Sequence, residues 1–431
     1  MKKIILTTVI LFFNGCGEIT YGDDNTTLPN NQDGYTRSGA SNLPLAQSNN
    51  PETMNSIEWK KSYSRIFREY TVMDSAGNFY SLYRVDIPHR AIISKLNPNG
   101  ELVWEKSIYL NENLQASYVY NGEMKIDKDG NIYLVGSGHD KVDNLTSTND
   151  LFQHAFVMKI SPSGDKIWEY IENSIIRTYG EALSIDRNGN VYFIGRDENS
   201  KLSLIKLNKD GEKVFKKSYD SVSYNTMGKV DIILSKNNIY LLTKKSILKK
   251  KPLYIIKTSL NGIEKWSKSY KIQEDAYLLD TVGFEEDSNG DIILVSNKTK
   301  FVNNSMLYDI NLLKINQYGT KLWEHTYGTD KVDKVRFVKL DNNNNIFVTG
   351  YTQGAFNGFE NDEATLDTFL SKISPEGDVL KTDQIKTFGL SGMNVAGARF
   401  IGFNKNNNLF ISGWGNIDNN RTTSSFLIKY K

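Results

Sequence analysis

The chain holds one cysteine, four histidines and eight prolines in 431 residues, and its formal net charge is only +2. A single cysteine excludes an intrachain disulfide. His89, His139, His154 and His325 form no metal-spaced His/Glu pair, and neither a nucleophile elbow nor a phosphate-cradling glycine loop is present. A near-neutral balance gives no electrostatic reason to invoke nucleic acid. Scarce proline beside 24 tyrosines and 20 phenylalanines favours strands over helices. No long segment carries apolar residues at helical spacing between helix caps. An almost all-β protein without a cofactor is expected, and not an enzyme.

The one cysteine, Cys16, closes the stretch MKKIILTTVILFFNGC, in which two lysines precede an apolar run from Ile4 to Phe13. That run is too short to span a bilayer as a mature helix and fits the hydrophobic region of an export signal. A lone thiol in an exported protein is an oxidation liability, which acylation removes. FFNGC resembles a bacterial lipoprotein signal in relaxed form, with Phe13 and Asn14 departing from the usual residues. The resemblance implies a signal peptide over 1–15 and lipidation of Cys16; an ordinary cleaved signal with a leftover cysteine is the alternative. Gly17 stands where an inner-membrane retention signal would put Asp, which points to the outer membrane or the cell surface. Residues 17–55 are rich in Asn, Asp, Thr, Ser and Gly, hold Pro29, Pro44 and Pro51, and lack apolar periodicity. Such a segment cannot bury enough surface to offset its ordering entropy. Residues 16–55 are therefore expected to form a lipidated, disordered tether with a mean reach of about 35 Å.

From residue 56 onward the chain repeats. DSAGNFY (74–80), DKDGNIY (127–133), DRNGNVY (186–192), SKNNIY (235–240), DSNGDII (287–293), DNNNNIF (341–347) and NKNNNLF (404–410) are seven copies of one motif. Asp74 to Asn404 spans 330 residues and six intervals, a mean period of 55. A second motif runs in step: KLNPNGELVW (95–104), KISPSGDKIW (159–168), KLNKDGEKVF (206–215), KTSLNGIEKW (257–266), KINQYGTKLW (314–323) and KISPEGDVLK (372–381). Its seventh lysine is Lys429, and the missing remainder is at the other end, where SIEWKKSY (56–63) sets Trp59 in the register of Trp104, Trp168, Trp266 and Trp323.

Asp127, Asp129 and Asn131 around Gly130 look like the start of a calcium loop, which needs oxygen ligands at alternate positions. The acidic positions do not persist between copies, and Gly138 stands where a bidentate Glu belongs. Gly or Asn beside Asn recurs instead, as a tight turn between strands requires. No metal site is expected.

Each unit parses into strands A to D. Strands B (NIYLVG) and C (AFVMKI) are nearly continuous apolar runs, so both sheet faces must be covered. Radial stacking of four-stranded sheets does this. The expectation is a seven-bladed β-propeller over 56–431, closed by the N-terminal strand completing the last blade, which hides the open edges. The paired signature, most complete in DKVRFVKLDNNNNIFVTGYTQGAFNG (333–358) and DTFLSKISPEGDVL (367–380), resembles the bacterial SBBP-repeat propellers. That resemblance covers residues 56–431 and implies the fold far more than any function.

Strand order sorts the connections: A–B and C–D turns on one face, B–C and D–A loops on the other. Rigid scaffolds carry function on such variable loops. Long B–C loops are read at 138–153, 243–252, 297–309, 351–367 and 414–424. Trp414 and Tyr351, at adjacent strand-B ends, are the candidate ligand-binding pair, a stacking platform, with loop packing as the alternative. His139 and His154 near Asp143 and Asp150, the basic run 244–252, and Glu360, Asp362, Glu363 and Asp367 of the acidic loop 358–367 are weaker candidates, each equally a solvated surface. The expected protein is a monomeric, lipid-anchored binding module for a protein or a glycan, touching the membrane only through its N-terminal lipid. A polysaccharide-active lyase or hydrolase and a structural subunit of an envelope complex are the competing readings.

Overall fold

The computed structural model describes residues 56–64, 70–85, 90–108, 114–115, 122–140, 153–172, 178–199, 201–223, 230–244, 253–270, 279–302, 305–359, 366–387, 397–418 and 425–431. Cys16 and the tether lie outside them.

Seven antiparallel sheets form, six with their strands in chain order from A to D. Blade six is representative: Asp333–Leu340, Ile346–Thr352, Asp367–Ile373 and Val379–Ile385. Blade two adds a two-residue strand, Leu114–Gln115, beside its strand B. The A strands meet one another in sequence around a circle, from Tyr70–Met73 through Glu123–Ile126, Tyr179–Ile185, Asp231–Leu234, Leu279–Glu286 and Asp333–Leu340 to Gly397–Phe403, which returns to the first. The protein is a seven-bladed β-propeller.

The apolar B and C strands impose this ring. Every residue of Ile346–Thr352 is buried on both faces, which an isolated sheet cannot achieve. The core accordingly lies between blades: Tyr133, Val135 and Val157 of blade two pack with Leu183, Phe193 and Ile205 of blade three.

Blade seven takes Ile57–Tyr63 as its outer strand, paired with Ser425–Tyr430 in a register that sets Trp59 opposite Lys429. Lys431 N donates to Ser56 O at 3.0 Å, as Asn97 N does to Glu101 O at 2.9 Å in the C–D turn of blade one. The two ends thus stand in for a missing turn.

Tryptophans on the outer strands wedge against the C–D turn of the next blade. Trp104 Nε1 donates to Pro162 O at 3.3 Å and Trp168 Nε1 to Lys209 O at 3.0 Å. A Cβ on Gly211 would sit 2.8 Å from the Trp168 ring, and its φ is +88°, so only glycine fits. Four residues after the ring position, Tyr63, Tyr219 and Tyr270 donate to Gly100 O, Gly262 O and Gly319 O at 2.7, 3.0 and 2.9 Å.

The seam between blades six and seven is built differently. There the next blade has no C–D turn to receive a ring, and Lys381 occupies the tryptophan position. The volume comes from the other side: Tyr430 occupies the rung that holds Leu96, Ile160, Leu207, Ile315 and Ile373 in other blades. It is fully buried against Phe347, Leu370 and Ile385.

Candidate functional site

The turn face consumes its own polar groups. Asp127 Oδ1 accepts from Asp129 N and Asn131 N at 2.9 Å each, while Oδ2 accepts from Asn131 Nδ2 at 2.9 Å and Tyr133 OH at 3.2 Å. Asp74, Asp186 and Asp341 bind their own asparagines, Asn78, Asn190 and Asn345, in the same two-oxygen pattern. The turn reading of the repeated motif is therefore the one the geometry carries, with Gly130 at φ +82°. The repeated lysine, unexplained from sequence, lies over the strand-B tyrosine: Lys95, Lys159, Lys206 and Lys257 stand 5.1, 5.1, 4.9 and 5.0 Å from the rings of Tyr80, Tyr133, Tyr192 and Tyr240. Its recurrence in step with an aromatic in six of seven copies, Ile293 of blade five being the exception, was the available signal.

On the loop face, blades five and six are the best-described region. Segment 297–309, expected as a loop, is a β-ribbon: strands Ile292–Val302 and Ser305–Ile315 stay in register from Asn297 opposite Ile310 to Val302 opposite Ser305. Beside its base, Asp333 is fully buried and accepts from Thr352 Oγ1 at 2.5 Å and Thr329 Oγ1 at 2.9 Å. Burial, opposed by these threonines and reinforced by Asp309, pushes its carboxyl up to about 6. Lys300 Nζ lies 2.6 Å from Asp309 Oδ1 and donates to Thr329 O at 2.8 Å. A side chain on Gly328 would collide with both carboxylates. Sealed from solvent, Asp333 organises the connection between blades rather than presenting an acid to a substrate.

Tyr351 and Trp414 share one rung, the sixth residue of strand B. In blade two this rung is Ser137, whose hydroxyl accepts from Gly180 N of blade three at 3.3 Å. In blade five it is Asn297, whose amide accepts from Val335 N at 2.8 Å and donates to Val335 O at 3.1 Å in blade six. In blades two and five the rung locks the blade to the next strand A. Tyr351 follows this pattern, only 5% exposed. A Cβ on Gly397 of blade seven would meet Tyr351 Cβ at 3.1 Å, and the Arg336 guanidinium lies 5.2 Å from its ring. An open stacking face is therefore not offered at Tyr351. Arg336 reaches it from a β-bulge between Val335 and Phe337, a feature without a sequence signature. Trp414 keeps partial exposure at the end of Leu409–Trp414.

The inner strands of blades two to six line a cavity of about 320 Å³ carrying Glu123, Lys125, Asp231, Glu285 and Lys339. Lys125 pairs with Glu123 at 2.8 Å and Lys339 with Glu285 at 3.1 Å. Burial alone would lower the Lys125 ammonium; Glu123, Asp231 and Glu285 outweigh it and raise it. Glu123 Oε2 also accepts from Leu183 N of blade three at 3.0 Å. Glu123, through Leu183, and the Lys339–Glu285 pair thus tie neighbouring blades together.

Asp143, Asp150, Glu360, Asp362, Glu363, the side chain of His139 and most of the basic run 244–252 lie outside the described residues; Asp367, the described carboxylate of the acidic loop, is instead fully buried, accepting from Thr387 N at 2.9 Å and Gln384 Nε2 at 3.1 Å. His154 is partly buried on its strand opposite Gly138. His325 packs between Trp323 and Tyr327, with ring centroids 5.1 and 6.2 Å away, on the outer strand of blade five. Among the described residues no group of three or more His, Cys, Asp or Glu side chains is arranged to hold a metal ion.

No family model matches the chain, and no curated protein matches it. Solved structures do. A protein of unknown function from Dyadobacter fermentans is 11% identical, with 75% of this chain and 96% of that one covered and a TM-score of 0.48. The WD40 domain of Neurospora crassa Pan2 is 8% identical over 85% of this chain and 89% of that one, TM-score 0.48. The β-propeller domain of the Trilobed protease from Pyrococcus furiosus is 11% identical over 85% and 93%, TM-score 0.46. The likeness is one of fold, and no function passes through it.

Proposed function

We propose that this chain is an exported, lipid-anchored propeller of the SBBP-repeat type that binds a protein or a glycan at the bacterial cell envelope through its B–C and D–A loop face. The observation that carries the reading is the asymmetry of closure. Ser56 pairs with Lys431 at the position of a C–D turn, so the segment bearing Cys16 joins the propeller at the turn face. An anchor joined at that end of the propeller does not occupy the loop face, which stays available to a ligand. The turn face, with its carboxylates and lysines bound internally, has little left to offer a ligand. No catalytic activity is assigned in this reading.

The test compares the full chain with a variant whose loops 245–252 and 360–365 are replaced by Gly/Ser linkers, using a glycan array and an envelope pull-down. Binding lost at unchanged melting temperature supports the reading; binding retained by the loop-replaced protein contradicts it. Membrane fractionation of Cys16→Ala tests the anchor separately, with release into the soluble fraction expected.

A further inference from the structure

We propose that the chamber lined by the inner strands of blades two to six is a binding site for a small, neutral, polyhydroxylated molecule of monosaccharide size. The chamber is built from strands rather than from the B–C and D–A loops, so the proposal goes beyond the loop-face reading and does not depend on it.

The chamber arises on a strand-A rung that the repeat does not keep constant. Two residues before the A–B turn, five successive blades contribute Lys125, Ser184, Ile233, Glu285 and Lys339, and all five line the cavity of about 320 Å³. No two neighbouring blades place the same residue type there, whereas the first strand-B position of the motif is apolar in all seven copies. Packing therefore does not dictate this rung. On the blade-seven side the same rung is Gly402, and the Phe400 ring stands 2.6 Å from where its Cβ would be, so an aromatic takes that space. Across blades two to six the rung instead presents polar groups to a chamber at the lower end of the size range of small-molecule sites.

What the chamber receives is decided by the two ion pairs. Lys125 and Lys339 have 41% and 42% of their side-chain surface accessible, while their partners Glu123 and Glu285 have 15% and 26%. Each carboxylate oxygen is engaged. Glu123 gives Oε1 to Lys125 and Oε2 to Leu183 N, and both Glu285 oxygens accept from Lys339. An ammonium carries three N–H donors, and Glu123 takes one from Lys125. The more accessible half of each pair is thus the donor, and the Ser184 hydroxyl beside them both donates and accepts.

This pairing selects the occupant. A carboxylate or phosphate would compete with Glu123 and Glu285 for the ammoniums, in a field where Glu123, Asp231 and Glu285 already raise the Lys125 ammonium against the effect of burial. An amine would compete with Lys125 and Lys339 for the carboxylates. Either exchange opens an established pair, which is costly away from bulk water. A hydroxyl group does neither, because it accepts from an ammonium while donating to the adjoining carboxylate. Glu285 is near enough to act on Lys125, so one small frame with several hydroxyls can engage both pairs. The half-buried Ile233 supplies an apolar wall for its C–H face.

Saturation-transfer NMR on the full chain tests this with D-glucose, D-galactose and D-mannose, and with succinate and putrescine as charged controls. Transfer to at least one hexose and to neither control is expected. Lys125→Met is expected to weaken that hexose about tenfold or more, and so is Ser184→Leu, which fills part of the chamber while keeping every charge, at unchanged melting temperature. The protein with loops 245–252 and 360–365 replaced is expected to keep full hexose affinity. Transfer to no hexose means that the chamber holds water only and overturns the proposal, as does transfer to succinate or putrescine. Full hexose affinity in Ser184→Leu, or affinity lost on loop replacement, also overturns it. Hexose transfer and envelope pull-down are separate readouts, so this proposal and the loop-face reading can each fail alone.

Discussion

The two faces of the propeller are made from the same repeat and spend it differently. On the turn face most copies close on themselves: an aspartate caps its own turn in blades one, two, three, five and six, a lysine covers its own tyrosine in blades one to four, and in most blades a ring from the previous blade rests on the C–D glycine. On the loop face the connections share no common geometry. One blade extends a ribbon, another buries an aspartate, and the lock rung changes chemistry from Ser137 to Asn297 to Tyr351. Repetition therefore marks where stability resides, and its breakdown marks where a ligand has room to be selected.

The largest effect should come from removing a ring on the turn face. Trp104→Ala is expected to lose about 3 kcal/mol, because the ring fills the seam to blade two and leaves a cavity when truncated, measurable by urea unfolding. A loss below about 1 kcal/mol would mean that the turn-face seams are not where the ring is held together.

Asp333 is the loop-face residue that cuts against the comparison, since it burdens stability there. Its carboxyl titrates near 6 in the folded protein, against about 3.9 in an unfolded chain. Between those values the native state binds the proton more tightly, so stability falls as pH rises from about 4 to about 6 and stays at the lower level above. The burden at neutral pH is on the order of 3 kcal/mol. Asp333→Asn should flatten that slope relative to wild type in unfolding experiments from pH 4 to 7; an unaltered slope would remove Asp333 as its source.

A smaller effect sharpens the contrast within the turn face itself. If Tyr430 supplies the volume that a tryptophan supplies elsewhere, Lys381→Trp overpacks the closing seam and destabilises by about 2 kcal/mol. Adding Tyr430→Leu should recover part of it, giving a coupling energy of about 1 kcal/mol in a double-mutant cycle. Strict additivity would refute the exchange of volume across that seam.

Much of this was legible in the sequence, because the period, the tryptophan register and the displaced outer strand are properties of residue identity and spacing. The ring positions of Trp59, Trp104, Trp168, Trp266 and Trp323 announce the outer strands, and Lys381 announces the exceptional seam. The ribbon was not legible in the same way. NKTKFVNNSMLYD mixes polar and apolar residues on a ladder that no core covers, so it reads as a loop unless Asn303 and Asn304 are taken as a two-residue hairpin turn. The burial of Tyr351, where the sequence leaves both stacking and packing open, was hidden for another reason. Its burial depends on Gly397 and on a bulge that carries Arg336 over its ring, and neither a neighbouring blade's approach nor a bulge is written in local spacing.

The division between the faces is tested most directly by one paired measurement: urea midpoint and envelope pull-down binding on Asp127→Ala and on the loop-replaced protein. Asp127→Ala removes a carboxylate that accepts four hydrogen bonds and should lose about 2 kcal/mol of stability with unchanged binding. The loop-replaced protein should keep its stability within about 0.5 kcal/mol and lose binding. Loss of binding in Asp127→Ala at full stability, or loss of stability in the loop-replaced protein at full binding, would contradict the account.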